Sequence, residues 1–287
     1  MTTWFITGAN GGLAYSMIEI LLKRGDRVAA TVRKPGTLDA LKEKYGSNLW
    51  QARLDLTDPS SIKQAVSQAI EELGTIDVLA NTVGYGMFGA VEEANEEQIE
   101  QLFQTNVFGA LRVVRAFMPY FRSKGKGHIV QISSMVGFLS NPGQGLYSAS
   151  KWAVEGVFET LAKEAAPFNI KLTLVEPGAI RTGFFSNNGV FGQELDVYDD
   201  QPARAFKKLY QNIQSQESKG PDERVGNGDP KKMAEAIIKC VDEGKGPLRL
   251  ALGSDAYQEI KAALTARLTE LEKQKDVAYS TDFKDIL

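Results

Sequence analysis

The chain has one cysteine, Cys240, in 287 residues, so no intrachain disulfide can support the fold. That usage is expected of a reducing compartment. Cys240 falls in an apolar helical pattern and reads as a small buried hydrophobe. There is also one histidine, His128. A single imidazole and a single thiol make a poor transition-metal set, and no metal site is expected. A Ser-His-Asp triad would have to use His128, which opens the apolar run His128-Ile-Val-Gln-Ile-Ser133 and reads as structural. Neither sign of charge dominates: 33 basic residues stand against 36 acidic ones, a net charge of −3. Nucleic acid and membrane surfaces are therefore not expected as main partners, since both favour a basic excess. No apolar run is long enough to span a bilayer. The start, Met-Thr-Thr-Trp-Phe-Ile, lacks the basic and apolar regions of a signal peptide, and a cytoplasmic location is expected.

What is present is a regular alternation of short apolar runs and amphipathic stretches. Trp4 to Thr7, Arg27 to Val32, Leu49 to Leu54, Ile76 to Ala80, His128 to Ser133 and Ile170 to Val175 read as strands. Helices are expected between them, including Asp58 to Leu73, Gln98 to Ser123 and Tyr147 to Ala166. Asp58-Pro59 and Asp229-Pro230 read as helix starts, with aspartate as N-cap and proline in the first turn. Such alternation implies right-handed crossovers and a doubly wound parallel sheet covered by helices on both faces, an α/β Rossmann-like single domain in three layers. The alternation lapses after Gly183, and 184–226 is expected to be an embedded substrate-binding lid.

Thr7-Gly8-Ala9-Asn10-Gly11-Gly12-Leu13-Ala14 joins the first strand to the first helix. Glycines there let backbone approach an anion, and the helix N-terminus offers free N–H groups to phosphate. The turn predicts dinucleotide binding. An acidic residue ending strand two would bond the ribose 2′-hydroxyl of NAD. This chain has Val32-Arg33-Lys34 there, and Arg33 offers a bidentate fork for a 2′-phosphate instead. Tyr147 and Lys151, four apart, share a helical face. A tyrosine of pKa about 10 is a poor acid/base at neutral pH, and a nearby ammonium is expected to lower it.

The spacing Gly8-x-x-x-Gly12-x-Ala14, Tyr147-Ser-Ala-Ser-Lys151, Ser134 after strand five, Asn106 in the preceding helix and Pro177-Gly178 after strand six together resemble the short-chain dehydrogenase/reductase family. The resemblance is strong over residues 3 to 183, in the flavour of its hydroxysteroid and retinol dehydrogenase-like carbonyl reductases. It implies an NADP(H)-dependent oxidoreductase that interconverts a carbonyl and an alcohol. By that resemblance Tyr147 gives or takes the proton and Ser134 positions the carbonyl oxygen. Lys151 holds nicotinamide ribose hydroxyls, and Asn106 anchors a water relay. It further implies that Gly8, Asn10, Gly11, Gly12, Leu13, Arg33, Asp55, Leu56, Asn81, Gly84, Tyr147, Lys151, Pro177, Gly178, Ile180 and Thr182 contact NADP(H), with the Asp55 side chain facing the adenine amino group. The chain departs from the family pattern at Ala14, where the last glycine of the turn stands, and at Thr82-Val83, where Asn-Ala is usual.

Tyr85, Met135, Phe138, Phe184 and Phe185 are expected to line the substrate site, with Met87, Phe88, Leu139 and Phe191 nearby. As a set they favour an apolar ketone or aldehyde of moderate size. Family members pair through the helices near 98–123 and 147–166, which implies a homodimer or homotetramer. Two other functions share these motifs: a non-catalytic NADP(H)-sensing protein, and an epimerase or dehydratase using the same Tyr-x-x-x-Lys pair. The intact Asn106, Ser134, Tyr147 and Lys151 weigh against the first, and the short chain against the second.

Overall fold

The structure is a computed structural model, and it describes residues 1–182, 184, 189–208, 226–244 and 246–283. Alternate side chains of the first strand, β1 (Thr3–Ile6), go to opposite faces: Trp4 and Ile6 join one core, Phe5 the other. The same alternation recurs in β2 (Arg27–Val32), β4 (Val78–Asn81) and β6 (Gly127–Ile132). Near-continuous burial on both faces is what an all-parallel sheet requires. With β3 (Leu49–Arg53), β7 (Ile170–Pro177) and β9 (Arg249–Leu252), they form a seven-stranded parallel sheet in the order β3-β2-β1-β4-β6-β7-β9.

Helices cover both faces. α1 (Gly12–Lys23) packs beside α7 (Pro230–Glu243) over one core. On the other lie α3 (Pro59–Leu73), α5 (Ala110–Lys124) and α6 (Gly145–Ala165). Phe5, Phe117 and Phe121 are fully buried there, with Phe5 edge-on to Phe117 at 4.9 Å between ring centroids. The helix starts fall where aspartate and proline place them: Asp58 accepts from Ser60 N at 2.8 Å, and Asp229 from Lys231 N at 2.8 Å. A last long helix, α8 (Ser254–Glu272), follows β9. Among the described residues no helix is long and apolar enough to cross a membrane.

The helix expected over 98–123 is interrupted. α4 (Glu96–Phe103) passes through a π-turn, Gln104–Gly109, before α5. Asn106 within that turn bonds the backbone of Tyr85 on both sides, Oδ1 accepting from Tyr85 N at 3.1 Å and Nδ2 donating to Tyr85 O at 2.9 Å. Such one-turn insertions often sit at functional sites.

The alternation pattern missed a second, two-stranded sheet. β5 (Gly86–Phe88) pairs in parallel with β8 (Gly189–Phe191). In the segment expected to act as a lid, residues 189–208 are tied down. Arg204, in the helical stretch 202–208, donates to Glu93 Oε1 at 2.6 Å and to Leu195 O at 3.0 Å. Both members of that ion pair are buried, and the Glu93 carboxyl also accepts from Ala90 N at 2.8 Å and Leu195 N at 2.9 Å. With its charges matched and its oxygens satisfied, the pair can tolerate removal from water. Residues 185–188 and 209–225 of the expected lid, Phe185 among them, lie outside those described.

His128 is structural, as expected. It is buried at the start of β6, with Nε2 2.9 Å from Thr173 Oγ1. Burial, aided by Lys171, brings its pKa down from 6.5 to about 4. The folded state therefore holds a neutral ring. The stability it contributes is present above pH 6.5 and is lost as pH falls from 6.5 to about 4. Because the chain has one histidine, NMR titration reads this directly: an imidazole pKa near 4 when folded, returning to its ordinary value in denaturant.

Candidate active site

A cleft of about 1130 Å³ opens beyond the carboxyl ends of the strands. The strand order reverses between β1 and β4, and α/β sheets bind ligands at that switch point. One end of the cleft is the turn after β1. Gly8 has φ +67°, and a Cβ there would lie 2.7 Å from Val83 Cγ2, so only glycine fits. α1 begins without a side-chain cap and with no acidic residue in its first turn. Its N–H groups and positive dipole end therefore face the cleft unneutralised, which suits a phosphate. Thr182 reaches this turn from the opposite rim, and a Cβ on Gly12 would overlap its Cγ2.

The two departures from the family pattern are accommodated. Ala14 is 2% exposed and packs into the core under the turn. Thr82 ties the end of β4 to the end of β1: its N donates to Thr7 Oγ1 at 3.0 Å, and its hydroxyl donates to Thr7 O. Val83 supplies the surface against which Gly8 is pressed.

Asn10, Gly11, Leu13, Arg33, Asp55, Leu56, Gly84, Pro177, Gly178 and Ile180 all line the cleft. Arg33 is exposed at its rim. Asp55 Oδ1 accepts from Thr57 N at 2.9 Å and Thr57 Oγ1 at 2.7 Å, which holds this carboxyl below its ordinary range. Asn81 does not line the cleft. It is 2% exposed and donates to Ala110 O at 3.1 Å, fastening β4 to α5. The polar face of α4 brings in Gln98 and Gln101, with Thr105 just beyond, which the motifs did not single out. Their signal in the sequence is the amphipathic pattern about the buried Leu102.

Ser134, Tyr147 and Lys151 converge on the cleft floor. Ser134 follows β6, where its Oγ accepts from Val136 N at 3.4 Å, and its hydroxyl acts on the Tyr147 phenol to lower its pKa. Lys151 Nζ donates to Ile132 O at 3.2 Å and stands 5.9 Å from the Tyr147 ring centroid. Phe88 and Phe184 flank Tyr147 with ring centroids at 6.0 Å and 6.1 Å. This apolar packing strips water from both groups. Burial pushes the Tyr147 phenol up to about 12 against the lowering effect of Ser134, and brings Lys151 down to about 8 against the field of Glu155. The expectation that Lys151 brings the phenol down toward neutral pH is thus corrected: desolvation outweighs it.

Asn106 is 1% exposed and lies behind Gly84 rather than in the cleft. Its carboxamide is occupied by Tyr85 and by Ser150 Oγ at 3.1 Å. Tyr85, Met135 and Phe184 line the cleft. Phe138 does not. After the turn Met135–Gly137 its ring lies under the Arg249 guanidinium, 5.3 Å from the centroid. The apolar lining of the cleft is Met135, Val136, Phe184 and Val190; behind it Phe88 packs on Phe206 at 4.6 Å and Phe191 at 5.9 Å.

The sequence matches the short chain dehydrogenase family over residues 2–190, and the chain belongs to that family. Oxidoreductase BOA17 of Botryotinia fuckeliana is 33% identical over 279 residues, 97% of this chain and 98% of its own length. The 3-ketodihydrosphingosine reductase of Bacteroides thetaiotaomicron is 38% identical over 251 residues, 86% of either chain. Retinol dehydrogenase 8 of Bos taurus is 33% identical over 86% of this chain and 80% of its own. A solved short-chain dehydrogenase from Streptomyces avermitilis superposes with a TM-score of 0.89 at 36% identity, over 98% of this chain and 100% of its own. One from Burkholderia cenocepacia, in complex with NADP, has a TM-score of 0.70 at 25% identity, over 95% and 96%. One from Burkholderia phymatum, in complex with NAD, shares the fold at a TM-score of 0.78 and 22% identity, over 95% of each chain. The protein is an oxidoreductase of this family.

The contact between Gly12 and Thr182 yields a test. Gly12→Ala forces Thr182 off the turn after β1, and affinity for a nicotinamide dinucleotide, tested with NADH and NADPH, is expected to fall by about tenfold, roughly the energy of one lost charge-assisted hydrogen bond. Fluorescence titration measures it, and the unfolding midpoint is expected to stay close to that of the parent.

Proposed function

We propose that this dehydrogenase uses NADP(H) and interconverts an apolar ketone or aldehyde of moderate size with its alcohol. The observation that carries the reading is the meeting of Ser134, Tyr147 and Lys151 on the floor of a cleft whose other end is an uncapped helix N-terminus. When bound, the nicotinamide supplies or accepts the hydride at the substrate carbon. The turn from Gly8 to Leu13 would hold the pyrophosphate, and Arg33 the 2′-phosphate. Asp55 and Leu56 would hold the adenine, and Pro177, Gly178, Ile180 and Thr182 the nicotinamide end. Gly84 would leave room for the ribose whose hydroxyls Lys151 holds.

In the reducing direction Tyr147 must carry a proton. A phenol pushed up to about 12 keeps its proton at neutral pH until an alkoxide forms beside it. Ser134 bonds the same oxygen and fixes its distance from the phenol. Asn106 acts here by holding the Tyr85 loop, which forms one side of the floor. The apolar lining of Met135, Val136 and Phe184, backed by Phe88 and Phe191 and with residues 189–208 fastened through Arg204, favours an apolar substrate. Two relatives point the same way: the name of one carries a ketone and that of the other an alcohol, the two ends of this reaction.

Tyr147→Phe is expected to lower kcat by about 10²- to 10⁴-fold in an NADPH-depletion assay over graded ketones and aldehydes. NADPH binding is expected to be retained. Full turnover by this variant contradicts the proton-transfer role.

A further inference from the structure

Behind Lys151 lies a cluster of carboxylates that the reaction as read does not use. Glu155 is one turn further along α6, on the same face, and is 6% exposed. Its Oε2 accepts from Arg249 Nε at 3.0 Å. Arg249 Nη2 donates to Glu159 Oε2 at 2.6 Å, and Arg249 Nε stands 3.5 Å from Glu176 Oε1. One guanidinium thus serves three carboxylates. Ser133 Oγ faces Glu155 across Gly137, where a Cβ would lie 3.1 Å from Ser133 Oγ and 2.9 Å from Glu155 Cγ, so glycine there lets the two approach. Arg249 is fixed in turn by the Phe138 ring below it.

The charges do not balance within the cluster alone. Glu155, Glu159 and Glu176 face one cation, Arg249, on β9. Burial pushes the Glu155 carboxyl up, and Ser133, Arg249 and Lys151 oppose that rise; Glu155 in turn opposes the desolvation of the Lys151 ammonium. Lys151 Nζ donates to Ile132 O, so Glu155 acts on it through space rather than as a contact partner. Such a field is strong because both groups are out of water. We propose that Glu155 is a positioning residue: its carboxylate, anchored by Arg249 and faced by Ser133, supplies the countercharge that keeps Lys151 protonated at the cleft floor. This rests on the reading of Lys151 as the ammonium that holds the cofactor ribose.

The groups around the pair fit this division. On α6, Glu159 is exposed and paired with Lys163 at 2.8 Å as well as with Arg249. On β7, Glu176 is pushed up to about 8 by burial and by Glu155, so it holds a proton at neutral pH. On α8, Asp255 turns away to accept from Ala179 N at 2.8 Å. Tyr147, on the other side of Lys151, is neutral in the same range.

Glu155→Gln removes the charge while keeping the shape and an oxygen for Arg249. With one opposite charge lost, the Lys151 pKa is expected to fall by about one unit. Lysines labelled with ¹³C at Cε report it by NMR, the Lys151 signal being assigned by its loss in Lys151→Arg. The alkaline limb of the kcat profile is expected to move to lower pH by the same amount, with KM at lower pH unchanged. Glu155→Asp, which keeps the charge, is expected to restore most of the shift. Should the glutamine variant fail to fold, the aspartate variant serves alone, and a smaller shift in the same direction is expected. An unmoved Lys151 titration overturns the proposal whatever the turnover. A shifted titration in a protein whose parent oxidises no NADPH supports the countercharge and refutes the reductase reading instead.

Discussion

Two ionisable side chains are held out of water at the end of one parallel sheet, and the rest of the site is arranged around that constraint. A phenol and an amine at this depth both favour their neutral forms. Each is kept in use by a neighbour placed by the fold. Ser134 opposes the rise of the phenol, and Ile132 O and the field of Glu155 oppose the desolvation of the amine. Phe184, which lines the cleft, and Phe88 behind it are the rings that dry Tyr147.

The sheet supplies the precision. β1, β4, β6 and β7 are neighbours, so their carboxyl ends bring four sequence-distant loops to one cleft. Close approach at those ends is enforced by small residues: Gly8 under Val83, Gly12 under Thr182, Gly84 beside Lys151 and Asn106. A side chain at Gly8 or Gly12 would push Val83 or Thr182 away from the turn after β1. The π-turn at Asn106 adds a second fastening, since it aims a carboxamide at the Tyr85 backbone that a regular helix would aim elsewhere.

Much of this was legible because the relevant signals are local. The capping aspartates Asp58 and Asp229, the apolar alternation of the strands, the glycine turn and the Tyr147–Lys151 spacing each depend on a few adjacent residues. What escaped depends on long-range contacts. β5 and β8 are three residues each and gain strand character only from each other. Phe138 reads as a pocket residue until Arg249, more than a hundred positions away, claims its ring. Asn81 reads as a cofactor ligand until Ala110 O claims its amide. The cluster at Glu155 and the latch at Glu93–Arg204 join side chains whose partners no spacing reveals. The sense of the Tyr147 shift was missed for the same reason: a nearby lysine is visible in sequence, but the depth of burial is not.

The central claim is that the buried floor transfers a proton while hydride moves between NADP(H) and an apolar carbonyl compound. The most direct measurement uses NADPH deuterated at C4 of the nicotinamide on the transferred face, with a ketone or aldehyde that is turned over. The account requires one NADPH oxidised per alcohol formed, with deuterium on the carbinol carbon of the product. Tight NADPH binding without oxidation across the whole range of carbonyl compounds, or product formed with no label and no net cofactor consumption, would contradict it.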